Sequence, residues 1–191
     1  MRTGSGKRFR IVLLVVLLIL LVAEILLAAF SGTLLKQYYR KPYSDLVTLY
    51  AGAYGVPESL VYAVMLCESG FRADAQSPVG AKGLMQMMDV SFREMRSRLN
   101  LPEDGDIFDP EQNIQCGVYC LSYLHRYFGN WRTALAAYNA GIGNVGNWLQ
   151  NRDYSSDGKT LEVIPFEETA AYLKKVEKAQ NAYRTLYGQD S

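Results

Sequence analysis

The hydrophobic pattern of the chain begins with one long apolar run. Residues 11–30 are apolar at every position except Glu24. Twenty helical residues at about 1.5 Å each cross the ~30 Å hydrocarbon core of a bilayer, so the run predicts one N-terminal transmembrane helix. A cleaved signal peptide is the alternative, but the run is long for one and residues 28–32 form only a loose cleavage site. We favour an uncleaved anchor.

Beyond residue 42, apolar residues recur at spacings of three and four, which is typical of amphipathic α-helices. Prolines in first turns and glycines after last turns mark several boundaries. The predicted helices cover residues 43–53, 57–68, 84–99, 110–127, 131–137, 142–149 and 167–186. The third of these would place Met85, Met88, Phe92 and Met95 on one face. Only residues 160–163 resemble a strand, so the predicted fold class is mainly α.

Charge divides the chain at the apolar run. Residues 1–10 carry four basic residues and no acid, and setting these and Glu24 aside leaves 16 basic and 18 acidic residues. The positive-inside rule places the N-terminus in the cytoplasm and residues after 30 outside the cell membrane. The globular part has no basic stripe for nucleic acid. The predicted division is a basic cytoplasmic tail at 1–10, an anchor at 11–30, a linker at 31–42 and one globular domain at 43–187.

Three cysteines, Cys67, Cys116 and Cys120, permit at most one disulfide and a spare thiol. Cys116 and Cys120 lie one helical turn apart, a poor geometry for a bridge, and we expect both to be free and buried. Cys67 could still reach one of them across the core. His125 is the only histidine and has no partner at ligand spacing, so no metal site is expected.

Glu68 is the leading candidate for chemistry. It ends a predicted helix that is mostly apolar, where the negative end of the helix dipole disfavours a carboxylate. Desolvation by apolar neighbours acts in the same direction, so both effects raise the pKa of the carboxyl toward neutrality. General acid catalysis of glycosidic-bond cleavage needs such a protonated acid. The alternative is an ordinary exposed residue at a helix end.

Glu68 opens a series of five short motifs. They are Glu68-Ser69, Gly83-Leu84-Met85-Gln86, Asn113-Ile114, Ala137-Tyr138-Asn139-Ala140-Gly141 and Glu168-Thr169-Ala170-Ala171-Tyr172. In order and spacing they resemble the catalytic domain of the soluble lytic transglycosylase family. The resemblance implies a lysozyme-like fold, of the goose-type or SLT kind, over roughly residues 43–187. It also implies cleavage of peptidoglycan glycan strands in cell-wall remodelling, by a non-hydrolytic route that needs no cofactor and forms 1,6-anhydroMurNAc.

The resemblance also implies roles for single residues. Glu68 matches the one catalytic glutamate, which acts as acid and then as base while the 6-hydroxyl of muramic acid attacks. The substrate-binding residues expected from the family are Ser77, Gln86, Met88, Tyr138, Asn139 and Tyr172. Tyr138 matches a tyrosine whose hydroxyl reaches the glutamate. Structural alternatives are amides that tie loops to backbone and methionines or tyrosines that fill the core. Ile142 and Asp89 stand where the family usually has proline.

Three other functions fit parts of the sequence. A hydrolytic, lysozyme-type muramidase would need Asp74 or Asp89 to direct a water molecule, and neither lies in a recognisable pairing motif. A cysteine peptidase would use Cys67 with His125, whose context is an ordinary helix. A non-catalytic wall-binding or assembly scaffold would keep the fold alone, but an intact Glu68 favours an enzyme. We therefore expect a single-pass bacterial membrane protein whose catalytic domain faces the cell wall and binds its glycan strands.

Overall fold

The computed structural model describes residues 4–188, without the side chains of residues 4–9, 11, 12, 28, 29 and 31. Within these residues the chain forms α1 (Gly4–Tyr38), α2 (Ser44–Tyr54), α3 (Glu58–Glu68), α4 (Asp89–Arg98), α5 (Pro110–Phe128), α6 (Trp131–Ala140), α7 (Ile142–Gln150) and α8 (Glu167–Tyr187). This part of the chain has no strand and only two isolated bridges, which join Lys82 to Gln76 and to Met87. The mainly α prediction is confirmed.

The chain divides into two compact units, residues 1–40 and residues 41–191. The first unit consists of α1. Its segment Leu13–Tyr38 has a mean hydropathy of 3.1 and is long and apolar enough to cross a membrane. The helix continues to Tyr38, so the first part of the predicted linker is helical. Of the predicted basic tail, Arg2 lies outside the described residues, as do the side chains of Lys7 and Arg8.

In the second unit, α3 is the central helix. Residues 59–65 are all buried in succession, because nearly every face of this helix is apolar. α3 packs against α8 and α2, while α5 packs against α2, α4 and α6. The two ends of α3 are therefore the places where it meets the surface, and they carry Glu58 and Glu68.

Helix boundaries agree with the sequence where side-chain caps define them. Asp109 accepts a hydrogen bond from the Gln112 backbone N–H at 2.9 Å, and Pro110 occupies the first turn of α5. The helix ends at Gly129, whose φ of +77° few other residues adopt. Asn130 caps α6 in the same way, at 2.8 Å from the Thr133 N–H. These caps confirm the predicted boundary between the two helices.

The predicted helix over residues 84–99 is wrong in its first half, because α4 begins only at Asp89. Gly83 and Gln86 have φ of +77° and +48°, which a right-handed helix does not allow. Met85 and Met88 consequently do not share a helix face with Phe92 and Met95. The possible strand at 160–163 is also wrong: these residues form a loop.

The three cysteines are free thiols, with Cys116 buried and Cys67 and Cys120 half-buried. The expectation that Cys120 is buried is therefore only partly met. Burial raises the pKa of Cys67 to about 11, so its thiol is protonated and weakly nucleophilic at neutral pH. His125 stacks on Trp131 with ring centroids 3.9 Å apart. This environment argues against a cysteine peptidase, and among the described residues no group of acids, histidines and cysteines is arranged to hold a metal.

Candidate active site

Glu68 is the last residue of α3 and is half-buried. Desolvation raises the pKa of its carboxyl from 4.5 to about 7. Tyr172, on α8, approaches the carboxyl and lowers that pKa in part. The Tyr172 hydroxyl is buried and makes no hydrogen bond of normal geometry within the described residues. The hydroxyl and the Glu68 carboxyl are therefore close to each other without forming a hydrogen bond. Glu68 can therefore hold a proton near neutral pH.

The residue after Glu68 fixes the chain where it leaves the helix. The Ser69 hydroxyl donates to the Leu84 carbonyl at 2.8 Å, with the Met65 carbonyl at 3.2 Å, and accepts from the Phe71 N–H at 3.1 Å. Ser69 is itself buried. This serine ties the end of α3 to residues 83–88, which we call the cleft loop.

Asn113, on α5, holds the cleft loop from the other side and is completely buried. Its side-chain oxygen accepts from the Met85 N–H at 2.8 Å, and its nitrogen donates to the carbonyls of Lys82 at 3.1 Å and Ile107 at 2.7 Å. A Cβ at Gly83 would overlap this amide. The Asn113 motif of the sequence thus has a structural role: it pairs backbone groups that no helix or sheet satisfies.

Tyr138, on α6, binds the cleft loop and lies near enough to Glu68 for the charge of that acid to affect it. Its hydroxyl donates to the Met85 carbonyl at 2.7 Å and not to Glu68. Burial raises the pKa of Tyr138 well above its ordinary value, and the nearby Glu68 charge adds to the effect. Because its one proton is committed to Met85, the hydroxyl can only accept from a further partner. Toward Glu68 it is therefore suited to the protonated carboxyl.

A cleft of about 390 Å³ lies between α4, α5, α6 and the cleft loop, and four of the six predicted binding residues line it: Gln86, Met88, Tyr138 and Asn139. The Gln86 amide nitrogen donates to the carbonyls of Ala75 at 3.1 Å and Gly83 at 2.9 Å, so its oxygen remains for a ligand. The Asn139 oxygen accepts from the Thr169 hydroxyl at 2.7 Å, which leaves its nitrogen.

The other two predicted binding residues do not line this cleft. Ser77 closes a turn, because its hydroxyl accepts from the Ala81 N–H at 2.9 Å. Tyr172 is buried beside Glu68, and Glu68 itself is not among the cleft-lining residues. The structure therefore separates the predicted residues into a cleft group, an acid with Tyr172, and the more distant Ser77.

The sequence missed part of the cleft wall, including Ser91, Glu94, Tyr123 and Cys120. Glu94 is bound by Arg98 at 2.9 Å, and the Arg98 guanidinium lies 4.4 Å from the centre of the Tyr123 ring. Residues 91, 94 and 95 share one helix face, but this spacing alone does not distinguish a cleft wall from an ordinary helix surface.

The acids considered for a hydrolase are placed elsewhere. Asp74 is exposed, and Asp89 forms an ion pair with Lys82 at 2.9 Å. Neither lines the cleft, whereas Ile142, the other departure from the family pattern, does. The one carboxyl with a strongly raised pKa among the described residues is that of Glu68.

Comparison with known proteins gives a consistent picture. Residues 45–161 match the family described as "Transglycosylase SLT domain". The chain belongs to this family. A soluble lytic murein transglycosylase of Salmonella typhimurium is 37% identical over 170 residues, which cover 85% of this chain and 26% of that protein. The membrane-bound lytic murein transglycosylase C of Edwardsiella ictaluri is 32% identical over 75% of this chain and 47% of its own length.

Solved structures support the lysozyme-like fold of this SLT domain. The 70 kDa soluble lytic transglycosylase of Escherichia coli superposes with a TM-score of 0.73 at 34% identity, covering 82% of this chain and 26% of that one. An inactive glutamate-to-glutamine mutant of the Pseudomonas aeruginosa lytic transglycosylase Slt gives 0.71 at 31%. The chain thus spans about a quarter to a half of the length of these relatives. The matched SLT range includes Glu68 and the cleft group but ends before Tyr172.

Proposed function

We propose that this protein is a peptidoglycan lytic transglycosylase that cleaves the MurNAc-β-1,4-GlcNAc bond without water. The carrying observation is the Glu68 carboxyl, whose pKa of about 7 keeps it protonated near neutrality beside a cleft. The SLT family membership and the names of the relatives support the same reaction. One such acid suffices for this chemistry, because the substrate supplies its own nucleophile.

In the proposed first step, Glu68 donates its proton to the bridging oxygen as the bond from that oxygen to the anomeric carbon breaks. The carboxylate that results then accepts the proton of the muramic acid 6-hydroxyl, while the 6-oxygen bonds to the anomeric carbon. Atoms and protons balance, and Glu68 returns to its starting form. Because the Tyr138 proton is committed to the Met85 carbonyl, the lone pairs of this hydroxyl would serve as acceptor for the protonated acid before the reaction.

The cleft group would bind the sugars around that bond. The Gln86 oxygen can accept from sugar hydroxyl or acetamido N–H groups, and the Asn139 nitrogen can donate to their oxygens. Met88 is 45% exposed and offers an apolar surface to a sugar face. We assign Ser77 and Tyr172 to the ends of the binding region, outside the cleft. A 70 kDa soluble lytic transglycosylase of the same fold forms a complex with bulgecin A, and we expect this protein to bind it too.

We propose a single-pass topology, with residues 1–10 in the cytoplasm, 11–30 as the membrane anchor, 31–42 as the linker and 43–187 as the catalytic domain on the cell-wall side. The apolar run 11–30 within α1 and the four basic residues before that run support this arrangement. Protease added to intact spheroplasts should digest the domain. A protected domain, or a soluble form that starts near residue 31, would contradict the proposal.

The reaction is tested by digesting purified cell wall in water labelled with oxygen-18. Intramolecular attack predicts products that end in 1,6-anhydroMurNAc and carry no label. Reducing MurNAc ends that carry the label would instead show a muramidase, for which Glu94 in the cleft wall is the available second carboxylate. A wall that is bound but not cleaved would show a scaffold.

A further inference from the structure

A second cavity, larger than the cleft, lies at the opposite end of α3. It has a volume of about 620 Å³ and is bounded by α2, the first turn of α3 and the last turn of α8. Glu58 lines it and is the first residue of α3, whereas Glu68 is the last. Ten helical residues separate these two acids by about 15 Å. The cavity is therefore distinct from the proposed catalytic cleft.

An ion pair in the cavity wall presents both a hydrogen-bond donor and an acceptor. Lys41 Nζ lies 3.1 Å from Glu58 Oε2, and the Thr48 hydroxyl donates to Glu58 Oε1 at 2.7 Å. The two charged side chains are 31% and 33% exposed, so a ligand can reach both. Because their charges cancel, the wall favours a neutral ligand. Hydroxyl groups suit it best, since one hydroxyl can accept from the ammonium and donate to the carboxylate.

Aromatic rings extend this polar wall. Lys41 Nζ lies 4.9 Å from the centre of the Tyr62 ring and 5.5 Å from that of Tyr187. Tyr62 is completely buried, and its hydroxyl has no hydrogen-bond partner among the described residues. Such a group is rare in native proteins. It is shielded from solvent in this structure, so a ligand in the cavity would first contact the exposed side chains of Lys41 and Glu58.

The glycine at position 52 keeps the cavity open. Gly52 lies inside α2, where glycine destabilises a helix relative to alanine. A Cβ at this position would meet no atom within 4 Å, so packing gives no reason for the glycine. Gly52 nevertheless lines the cavity, and any larger side chain there would fill part of it.

We propose that this cavity is a second carbohydrate site, which binds a neutral saccharide segment of a glycan strand that is not being cleaved. The volume lies within the range of about 300 to 1,000 Å³ that small-ligand sites occupy. The identity of the saccharide as cell-wall glycan rests on the proposed function. Holding one polymer at two points slows its escape, because the second contact becomes intramolecular.

The site is tested by titrating the full-length Glu68→Gln protein in detergent micelles with chitotetraose, a neutral oligomer of N-acetylglucosamine, and following backbone amide NMR signals. We expect two groups of residues to respond: Gln86 and Asn139 in the cleft, and Gly52 and its neighbours at the second cavity. Shifts confined to the cleft would overturn the proposal. A response only at the second cavity would support it and would count against the cleft assignment instead, so the two proposals fail separately.

A variant that fills the second cavity tests whether this cavity contributes to wall binding. Gly52→Leu places a side chain in the cavity and raises helix propensity, and Gly146→Leu in α7 is the matched control, since a Cβ there also meets nothing within 4 Å. With wild-type Glu68, we expect Gly52→Leu to weaken binding to insoluble cell wall by about tenfold or more. Cleavage of short soluble strands should not change. Equal wall binding by the two leucine variants would overturn the proposal.

Discussion

Replacing Glu68 by glutamine should remove activity while making the protein more stable at alkaline pH. Glutamine keeps the shape and polarity of the side chain but cannot transfer the proton, so turnover should fall by about 10²- to 10⁴-fold. The free energy of unfolding at alkaline pH should be higher in the variant, because ionising a half-buried carboxyl destabilises the folded state. A loss of activity together with a gain in stability distinguishes removal of the acid from damage to the fold.

The size of the stability effect follows from the pKa of Glu68. That pKa rises on folding from 4.5 to about 7, and each pH unit corresponds to about 1.4 kcal/mol, which sets an upper value of about 3 kcal/mol. Solvent screening of a half-buried group reduces this, so we expect about 1 to 3 kcal/mol. Below pH 4.5 the carboxyl is protonated in both states, and the full favourable contribution is present. It is lost as the pH rises from 4.5 through 7, since the unfolded chain ionises first.

Urea unfolding of the full-length protein in micelles measures this effect, because both tryptophans, Trp131 and Trp148, lie in the globular unit and report its unfolding. Wild type and Glu68→Gln should unfold at the same urea concentration at pH 4, and the variant should be the more stable at pH 8. Glu103→Gln, in an exposed loop, is the control and should show no such difference. Wild-type kcat/KM should fall as the pH rises, with an apparent pKa of about 7. Equal stability of wild type and Glu68→Gln at pH 8 would refute the assignment of a desolvated acid.

Three further predictions concern the surroundings of the acid. Tyr138→Phe leaves the Met85 carbonyl without its donor and should cost about 1 kcal/mol in unfolding free energy, with a smaller loss of activity than removal of the acid; an unaffected protein would contradict this. Gly83→Ala should destabilise by about 1 to 3 kcal/mol more than Gly129→Ala in the same urea assay, because both glycines have φ of +77° but only the first Cβ would overlap Asn113. Thiol titration in denaturant without reductant should count three free cysteines, and a count of one would reveal a disulfide.

The parts of the fold that the sequence predicted well are specified by residues close together in the chain. The cap of α5 by Asp109, the first-turn Pro110 and the terminal Gly129 act within a few residues, so their meaning can be read without the rest of the molecule. The same holds for Glu68, because the apolar run of the helix that it ends lies directly before it in the sequence. The direction of its pKa shift was therefore predictable from one stretch of chain, although its size was not.

The cleft loop was not predictable in this way, because distant residues determine its backbone. Its amides and carbonyls pair with side chains of Ser69, Asn113 and Tyr138, which lie 15 to 53 residues away in sequence. Methionines at helical spacing therefore suggested a helix that does not form. The error moved the start of α4 by five residues, and no local pattern marked Glu94 as part of the cleft wall.

These long-range bonds also connect the acid to the cleft. Ser69 follows Glu68 directly and holds the Leu84 carbonyl, while Tyr138 holds the next carbonyl along, that of Met85. A shift of the cleft loop would therefore move the cleft-lining Gln86 and Tyr138 together. The buried Asn113, on a different helix, limits such a shift because it pairs with the Met85 N–H. The hold on the end of α3 and the position of Gln86, a proposed binding residue, thus depend on one segment, and that dependence explains the sequence motifs at Asn113 and Tyr138.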